Sequence, residues 1–273
     1  MKNLSELKWK RNKVSFPLMV VFICASMLSA AQSPPDVYAR VTMLKVNPGK
    51  QAEFEQFMKQ TMKPVHVLRR EKGKIFLWIL FRVHFAGGAD EYNYVEVSYY
   101  PSWENTEANL SFPALMREAQ PQTDPAMVTA KLLEFRSVAR VYLVHRADFV
   151  EPTPPVPSKF VRLDYMKVKP GKAQAYLKVE REDWKPFHTT LIADGQSTGW
   201  ALWQRVFPGG SNAEYDYVTS NRYATYADVM ATDYEKTFKK ASPSKNINDI
   251  FERTTSSRDL VRSELWEVVD MLN

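Results

Sequence analysis

Cysteine is nearly missing from this 273-residue chain: the single one, Cys24, lies inside an apolar run near the N-terminus. Everything after that run is free of disulfides and thiol chemistry. The fold must therefore stand on its own cores, and this length suffices for two ordinary domains. Histidine is scarce as well, at four residues, none in a His-x-x-x-His or Glu-x-x-His arrangement, so no metal centre is expected. There is no Gly-x-Ser-x-Gly elbow and no phosphate loop. Gly87-Gly88 and Gly209-Gly210 lack the strand-to-helix setting that phosphate binding requires. Hydrolytic and nucleotide-dependent enzymes are accordingly disfavoured. Excess charge is small too. The formal +6 owes much to the first 31 residues, which hold five basic residues and one acidic, leaving 32 basic against 30 acidic. A net of +2 gives no footing for a nucleic-acid partner.

What is present begins with that N-terminus. Lys2, Lys8, Lys10, Arg11 and Lys13 precede an apolar run from Val14 to Leu28, followed by Ser29, Ala30 and Ala31. This is the pattern of a secretory signal over residues 1–31, cut after Ala31, and it predicts an exported protein, periplasmic or secreted. The run falls short of the roughly 20 residues of a membrane span, so no stable span is expected once the signal is removed. An uncleaved anchor is the alternative. Phe22 and Ile23 are too bulky for a lipidation site at Cys24.

The remainder repeats itself. Val46-Asn47-Pro48-Gly49-Lys50 returns as Val168-Lys169-Pro170-Gly171-Lys172, and Lys63-Pro64-Val65-His66 as Lys185-Pro186-Phe187-His188, both offset by 122. Trp78 matches Trp200. After a one-residue slip, Tyr92-Asn93-Tyr94-Val95 matches Tyr215-Asp216-Tyr217-Val218. Two modules are expected, 37–150 and 159–273, joined by a stiff proline-rich linker at 151–158. In each, a strand (Tyr38–Val46, Phe160–Val168) ends at a Pro-Gly turn, and a helix follows from about Lys50 or Lys172. Two strands come next, Lys74–His84 with Tyr92–Tyr99 and Thr198–Phe207 with Tyr215–Ser220. Helical segments follow: Thr225–Asp228 reads as a capping sequence, and Asp124-Pro125 as an N-cap with proline behind it. A last strand, Val138–Val144 or Leu260–Val268, closes an α+β module of ferredoxin-like order, βαββαβ.

On that order, the Pro-Gly-Lys turn and the repeat, residues 37–272 resemble the dimeric α/β-barrel superfamily. The resemblance implies two ferredoxin-like sheets packed face to face, here as an intrachain dimer, with a pocket between sheet and helices in each module. Relatives include cofactor-independent monooxygenases, haem-degrading and haem-dependent enzymes, and proteins of unknown role. Haem is therefore one candidate cofactor, although nothing in the residues requires any cofactor, and the oligomeric state is left open.

His66 and His188 are the candidate catalytic residues. Each follows a large apolar residue, Met62 or Trp184, by four positions and so faces the core. The plainer reading is that Lys-Pro-x-His ends a helix, the imidazole satisfying the carbonyl that proline frees. Trp78, Trp200, Tyr94, Tyr217 and Arg205 are candidate substrate-binding residues, for stacking, hydrogen bonding and meeting an anion. Core packing, cross-strand packing and ion pairing are the plainer readings of the same residues. Tyr92 and Tyr94, like Tyr215 and Tyr217, are expected to share a strand face. The second module, with Trp184 and Trp203 in addition, is the better candidate for a working pocket. Two functions stay open at this point: an enzyme acting on a small hydrophobic or aromatic molecule, or a non-catalytic small-molecule-binding or interaction protein.

Overall fold

A computed structural model describes residues 36–107 and 110–272, so the expected signal segment lies outside the described residues. The Pro-Gly turns do what their chemistry dictates. Gly49 and Gly171 take φ +78° and +72°, and Lys50 N and Lys172 N donate back to Asn47 O and Lys169 O at 3.0 Å. A side chain at that φ would be strained, so glycine stops the strand and starts the helix.

The first module runs β1 (Tyr38–Val46), α1 (Gln51–Phe57), a π-turn (Met58–Met62), α2 (Lys63–Glu71), β2 (Leu77–Val83), β3 (Tyr94–Tyr100), α3 (Phe112–Ala119), α4 (Pro125–Phe135) and β4 (Arg136–Val150). The second repeats it as β5 (Phe160–Val168), α5 (Ala173–Val179), a π-turn (Glu180–Trp184), α6 (Lys185–Ala193), β6 (Gly199–Phe207), β7 (Tyr217–Tyr223), α7 (Tyr234–Ala241), α8 (Ile247–Ser257) and β8 (Arg258–Met271). Asp124 caps α4 by accepting from Ala126 N, with Pro125 behind it. Thr225 and Asp228 form the reciprocal bonds of a capping box, but the turn they open, Ala227–Met230, is 3-10 rather than an α-helix.

Each module forms the sheet order 4-1-3-2. The two sheets do more than face one another: β2 pairs with β8 and β4 with β6, closing one eight-stranded barrel, β1-β3-β2-β8-β5-β7-β6-β4. This corrects the expected last strands. β4 is about twice, and β8 about one and a half times, as long as the sequence suggests, because their second halves pair with the other module, Leu143–Val150 against Trp200–Phe207 and Trp266–Met271 against Ile79–Val83.

Alternation along the strands divides the core in two. Ala39, Phe81, Val97, Val161, Leu163, Ala201, Trp203 and Val218 face the barrel interior. Leu44, Trp78, Leu80 and Tyr94 face the first module's helices in one continuous cluster with Phe54, Met58, Met116 and Phe135. The corresponding layer of the second module is broken into separate clusters, around Trp200 and Tyr176, around Phe187 and Phe238, and around Phe160 and Tyr223. Polar side chains occupy the breaks.

The tyrosine pairs do not share a face. Tyr92 and Tyr215 lie with the barrel interior, whereas Tyr94 and Tyr217 lie with the helix layer. The cause is the residue between them. Asn93 accepts from Val46 N at 2.8 Å and donates to Val46 O at 3.0 Å, and Asp216 accepts from Val168 N at 2.9 Å. Each side chain ties off the end of the neighbouring strand and breaks the alternation just before β3 or β7 begins.

Candidate functional site

Pro64 and Pro186 withhold a helical N–H, yet neither ends a helix. The chain passes through a π-turn into α2 or α6, which carry His66 and His188. The freed carbonyls find other donors: Gln120 Nε2 reaches Gln60 O at 3.0 Å, and Lys245 Nζ reaches Glu182 O at 2.8 Å. Neither histidine caps a helix end, so the plainer reading of Lys-Pro-x-His does not hold. Both imidazoles instead stack on the matched tryptophans, His66 on Trp78 at 4.5 Å and 12°, His188 on Trp200 at 5.2 Å and 13°.

From there the modules diverge. In the first, the carboxylate is enclosed by side chains of its own module, although His66 Nε2 and Arg136 Nε are buried without a hydrogen bond. Trp78 Nε1 donates to Glu96 Oε1 at 2.8 Å, and His66 Nε2 lies 3.3 Å from the same oxygen. Arg69 Nη1 sits 3.1 Å from His66 Nδ1 and also reaches Ser98 and Tyr100. Burial works to raise the Glu96 carboxyl, but His66, Trp78 and the Arg136 charge outweigh it and hold the group at about 2. Burial, opposed by Glu96, depresses His66. Both ring nitrogens of His66 face a charged partner.

In the second module Trp200, Tyr223 and Arg258 still match Trp78, Tyr100 and Arg136, but the other partners are exchanged. Thr219 stands for Glu96, Leu191 for Arg69, Asn221 for Ser98 and Trp184 for Met62. A cavity of about 100 Å³ opens between sheet and helices, lined by Arg162, Asp164, Glu180, Trp184, Phe187, His188, Asn221, Tyr234 and Arg258 among others. Two carboxylates reach it, Asp164 from β5 and Glu180 from the π-turn, where Glu180 stands in place of the first module's Met58. Burial lifts Glu180 to about 7, against the opposing pull of Arg258 and the neighbouring Tyr176. Burial alone lowers His188 to about 3, so the imidazole is neutral in ordinary conditions, and it has no hydrogen-bond partner among the described residues. Arg258 Nε and Asn221 Oδ1 are buried without a partner. Asp164 is committed to Arg162 Nε at 3.0 Å and Asn221 Nδ2 at 3.3 Å.

Of the catalytic and substrate-binding candidates only His188 lines this cavity, joined by Trp184, which marked the second module as the better candidate. Trp200, fully buried, backs the imidazole, and Tyr217 packs behind on Tyr176 at 5.0 Å. Trp78 and Tyr94 belong to the first module's core, Tyr94 donating to Glu55 at 2.5 Å. Arg205 is elsewhere, laid over Tyr142 and Tyr215 with its Nε donating to Pro208 O at 2.6 Å. Arg82, Arg140 and Arg262 form ion pairs with Glu55, Glu91 and Glu264. The residues missed were Glu180, Arg258, Asp164 and Asn221. One signal for them was available: at the repeat offset, Glu180 is a carboxylate at a core-facing helix position where its counterpart is methionine.

A haem group does not fit here. The cavity lies well below the roughly 300 Å³ at which pockets for drug-sized molecules begin, and Trp200 already covers one face of the His188 ring. Among the described residues no group of three or more His, Cys, Asp or Glu side chains could hold a metal ion. No described helix is long and apolar enough to cross a membrane.

No family model and no curated protein matches this chain. Among solved structures it is similar to a provisionally assigned monooxygenase from Lactobacillus acidophilus NCFM, at 11% identity over 88% of this chain and 97% of that one, with a TM-score of 0.51. It is also similar to a provisionally assigned chlorite dismutase, at 11% identity over 86% and 95% with a TM-score of 0.48. A haem-binding protein from Thermus thermophilus gives 10% identity over 87% and 92%, with a TM-score of 0.46. At such identities the likeness is one of fold. The chain has the dimeric α/β-barrel fold, with both halves supplied by one polypeptide.

Proposed function

We propose that the second module is the working site of an exported, oxidoreductase-like enzyme that takes a proton from a small hydrophobic or aromatic substrate without a cofactor. The observation that carries this is the asymmetry between the modules. The first holds its carboxylate in a closed set of partners, and the second leaves Glu180, His188 and Arg258 around an open cavity. A carboxyl poised near 7 both accepts and releases a proton at neutral pH. In this reading Glu180 removes a proton next to a carbonyl or phenol. Arg258, with its unpartnered Nε, and neutral His188 stabilise the oxyanion that forms. Trp184, Phe187 and Tyr234 exclude water. The resulting stabilised carbanion is a species that dioxygen oxidises unaided, which agrees with the monooxygenase description of the Lactobacillus neighbour.

The test is deuterium uptake from D2O by small cyclic ketones and hydroxyaromatic ketones, followed by proton NMR, with oxygen consumption recorded in parallel. Exchange is expected to rise through an inflection near pH 7, and Glu180→Gln is expected to lower it at least 100-fold. Exchange that is indifferent to Glu180 refutes the assignment. The second reading, binding without turnover, draws on the finding that no side chain among the described residues orients His188 by a hydrogen bond; saturable binding with no exchange would decide for it. The export reading rests on the segment 1–31, and mass spectrometry of the mature protein is expected to find Gln32 at its N-terminus.

A further inference from the structure

Eight strands make a barrel just wide enough either to be filled by its own side chains or to hold one small ligand. This barrel is not filled. A cavity of about 510 Å³ runs through it, walled by Val37, Ala39, Val41, Ile79, Leu163 and Val218 and their neighbours. That volume falls within the range of pockets that take a small-molecule ligand. Natural cores leave few voids larger than a water molecule, and an apolar lining gives water too few partners to stay.

The cavity is elongated. Along the wall of β7 and the residues before it, the lining includes Arg222, Ser220, Val218 and Tyr215, roughly 20 Å of extended chain. Apart from Ser220, whose Oγ accepts from Trp203 Nε1 at 3.0 Å, its polarity lies towards the ends. At the Tyr215 end the polar groups are engaged with each other: Trp266 Nε1 donates to Glu264 Oε2 at 2.9 Å and Tyr165 OH to the same oxygen at 3.3 Å. The charged residues that line the cavity, Arg146, Glu151 and Arg222, gather at the opposite end. Two cations and one anion leave that end positive.

Arg222 is built in. It pairs across the sheet with Gly199, at φ +155°, where a Cβ would lie 1.9 Å from Arg222 Nη2. Only the missing side chain lets the guanidinium lie there. Its Nη2 holds Glu151 at 3.0 Å, and its Nε is buried with no partner. Over this end passes the segment joining the modules, with Pro155, Val156, Pro157 and Ser158 lining the mouth.

We infer that the barrel interior is a second ligand site, for one alkyl-chain monocarboxylate, its carboxylate on Arg222 beneath the 151–158 segment and its chain along the barrel axis. A long apolar channel with a positive mouth matches a straight chain bearing one anionic head. This site is separate from the Glu180 cavity, which lies on the other face of the sheet.

Isothermal titration of the purified protein with dodecanoate, and with dodecanol as the uncharged counterpart, tests the inference. Dodecanoate, kept below its micellar concentration, is expected to bind one to one, to raise Tm, and to bind at least ten-fold more tightly than dodecanol. Arg222→Met is expected to bring the two affinities together. Ala201→Trp, which fills the middle of the channel, is expected to abolish both while the melting transition stays cooperative. Val41→Phe does the same from the opposite wall if Ala201→Trp fails to fold. Absence of dodecanoate binding, equal affinity for the two probes, or binding that survives the filled channel would each overturn it.

Discussion

At the level of single residues, the two modules each enclose a carboxylate at a different position, and the surroundings push the two in opposite directions. Glu96 is held at about 2 and Glu180 at about 7, from a common starting value of 4.5. Linkage turns these into opposite pH dependences. Glu96 is depressed in the folded state, so its contribution is present above about pH 4.5 and is lost as pH falls towards 2. Glu180 is raised, so the folded protein retains a proton that the unfolded chain gives up. Stability therefore falls as pH climbs from about 4.5 to 7 and stays lower beyond. A shift of this size corresponds to about 3 kcal/mol. Glu180→Gln is expected to remove that fall, so that the variant is the more stable protein at pH 8 and gains little at pH 4.5. Glu96→Gln is expected to lose stability at pH 7, since it takes the charge from His66 and Trp78. Urea titrations of both variants against the parent at pH 4.5 and 8 check the pair of signs.

At the level of elements, what the sequence disclosed depended on how local the cause was. β1 and β5 end where expected because the Pro-Gly turn is written into the five residues that form it. The tails of β4 and β8 were illegible, because Arg146 to Val150 pair with a strand some fifty residues away and carry no alternation of their own. The split of Tyr92 from Tyr94 depended on an Asn93 side chain reaching another strand's backbone. For the site, the repeat led to His188. Glu180, the first residue of the π-turn, stayed hidden because a glutamate on a helix reads as solvated, and only its repeat counterpart Met58 marks the position as core-facing. The same turn explains how proline is tolerated. Gln120 Nε2 bridges Gln60 O at 3.0 Å and Thr61 O at 3.2 Å, supplying what Pro64 cannot. Gln120→Ala is expected to cost about 0.5–1.5 kcal/mol, the net worth of a typical hydrogen bond at a partly exposed site, whereas an alanine at exposed Gln56 is expected to cost almost nothing. Denaturant midpoints at constant m-value separate the two.

For the whole molecule, the decisive feature is that neither sheet is finished alone. β2 and β4 are edge strands of the first module, and they are paired only because β8 and β6 of the second lie against them. An exposed strand edge recruits a partner, and the inner face of each sheet is as apolar as a core. The segment 36–150, produced by itself, therefore presents two unpaired edges and a hydrophobic face. A second copy can satisfy all three, because the first module already has the order 4-1-3-2 that the second repeats, and a symmetric pair would rebuild the closed barrel with β2 on β4 of its partner. That segment is expected to be a dimer by light scattering at micromolar concentration, with a melting temperature that rises with concentration. A stably folded monomer would mean that barrel closure is not what holds each sheet together. Replacing Phe81, whose strand meets β8 and whose side chain faces the barrel interior, by lysine should weaken the segment's dimer far more than it weakens the intact chain. In the intact chain the two halves are tethered by only a few residues, and the linker keeps their effective concentration high.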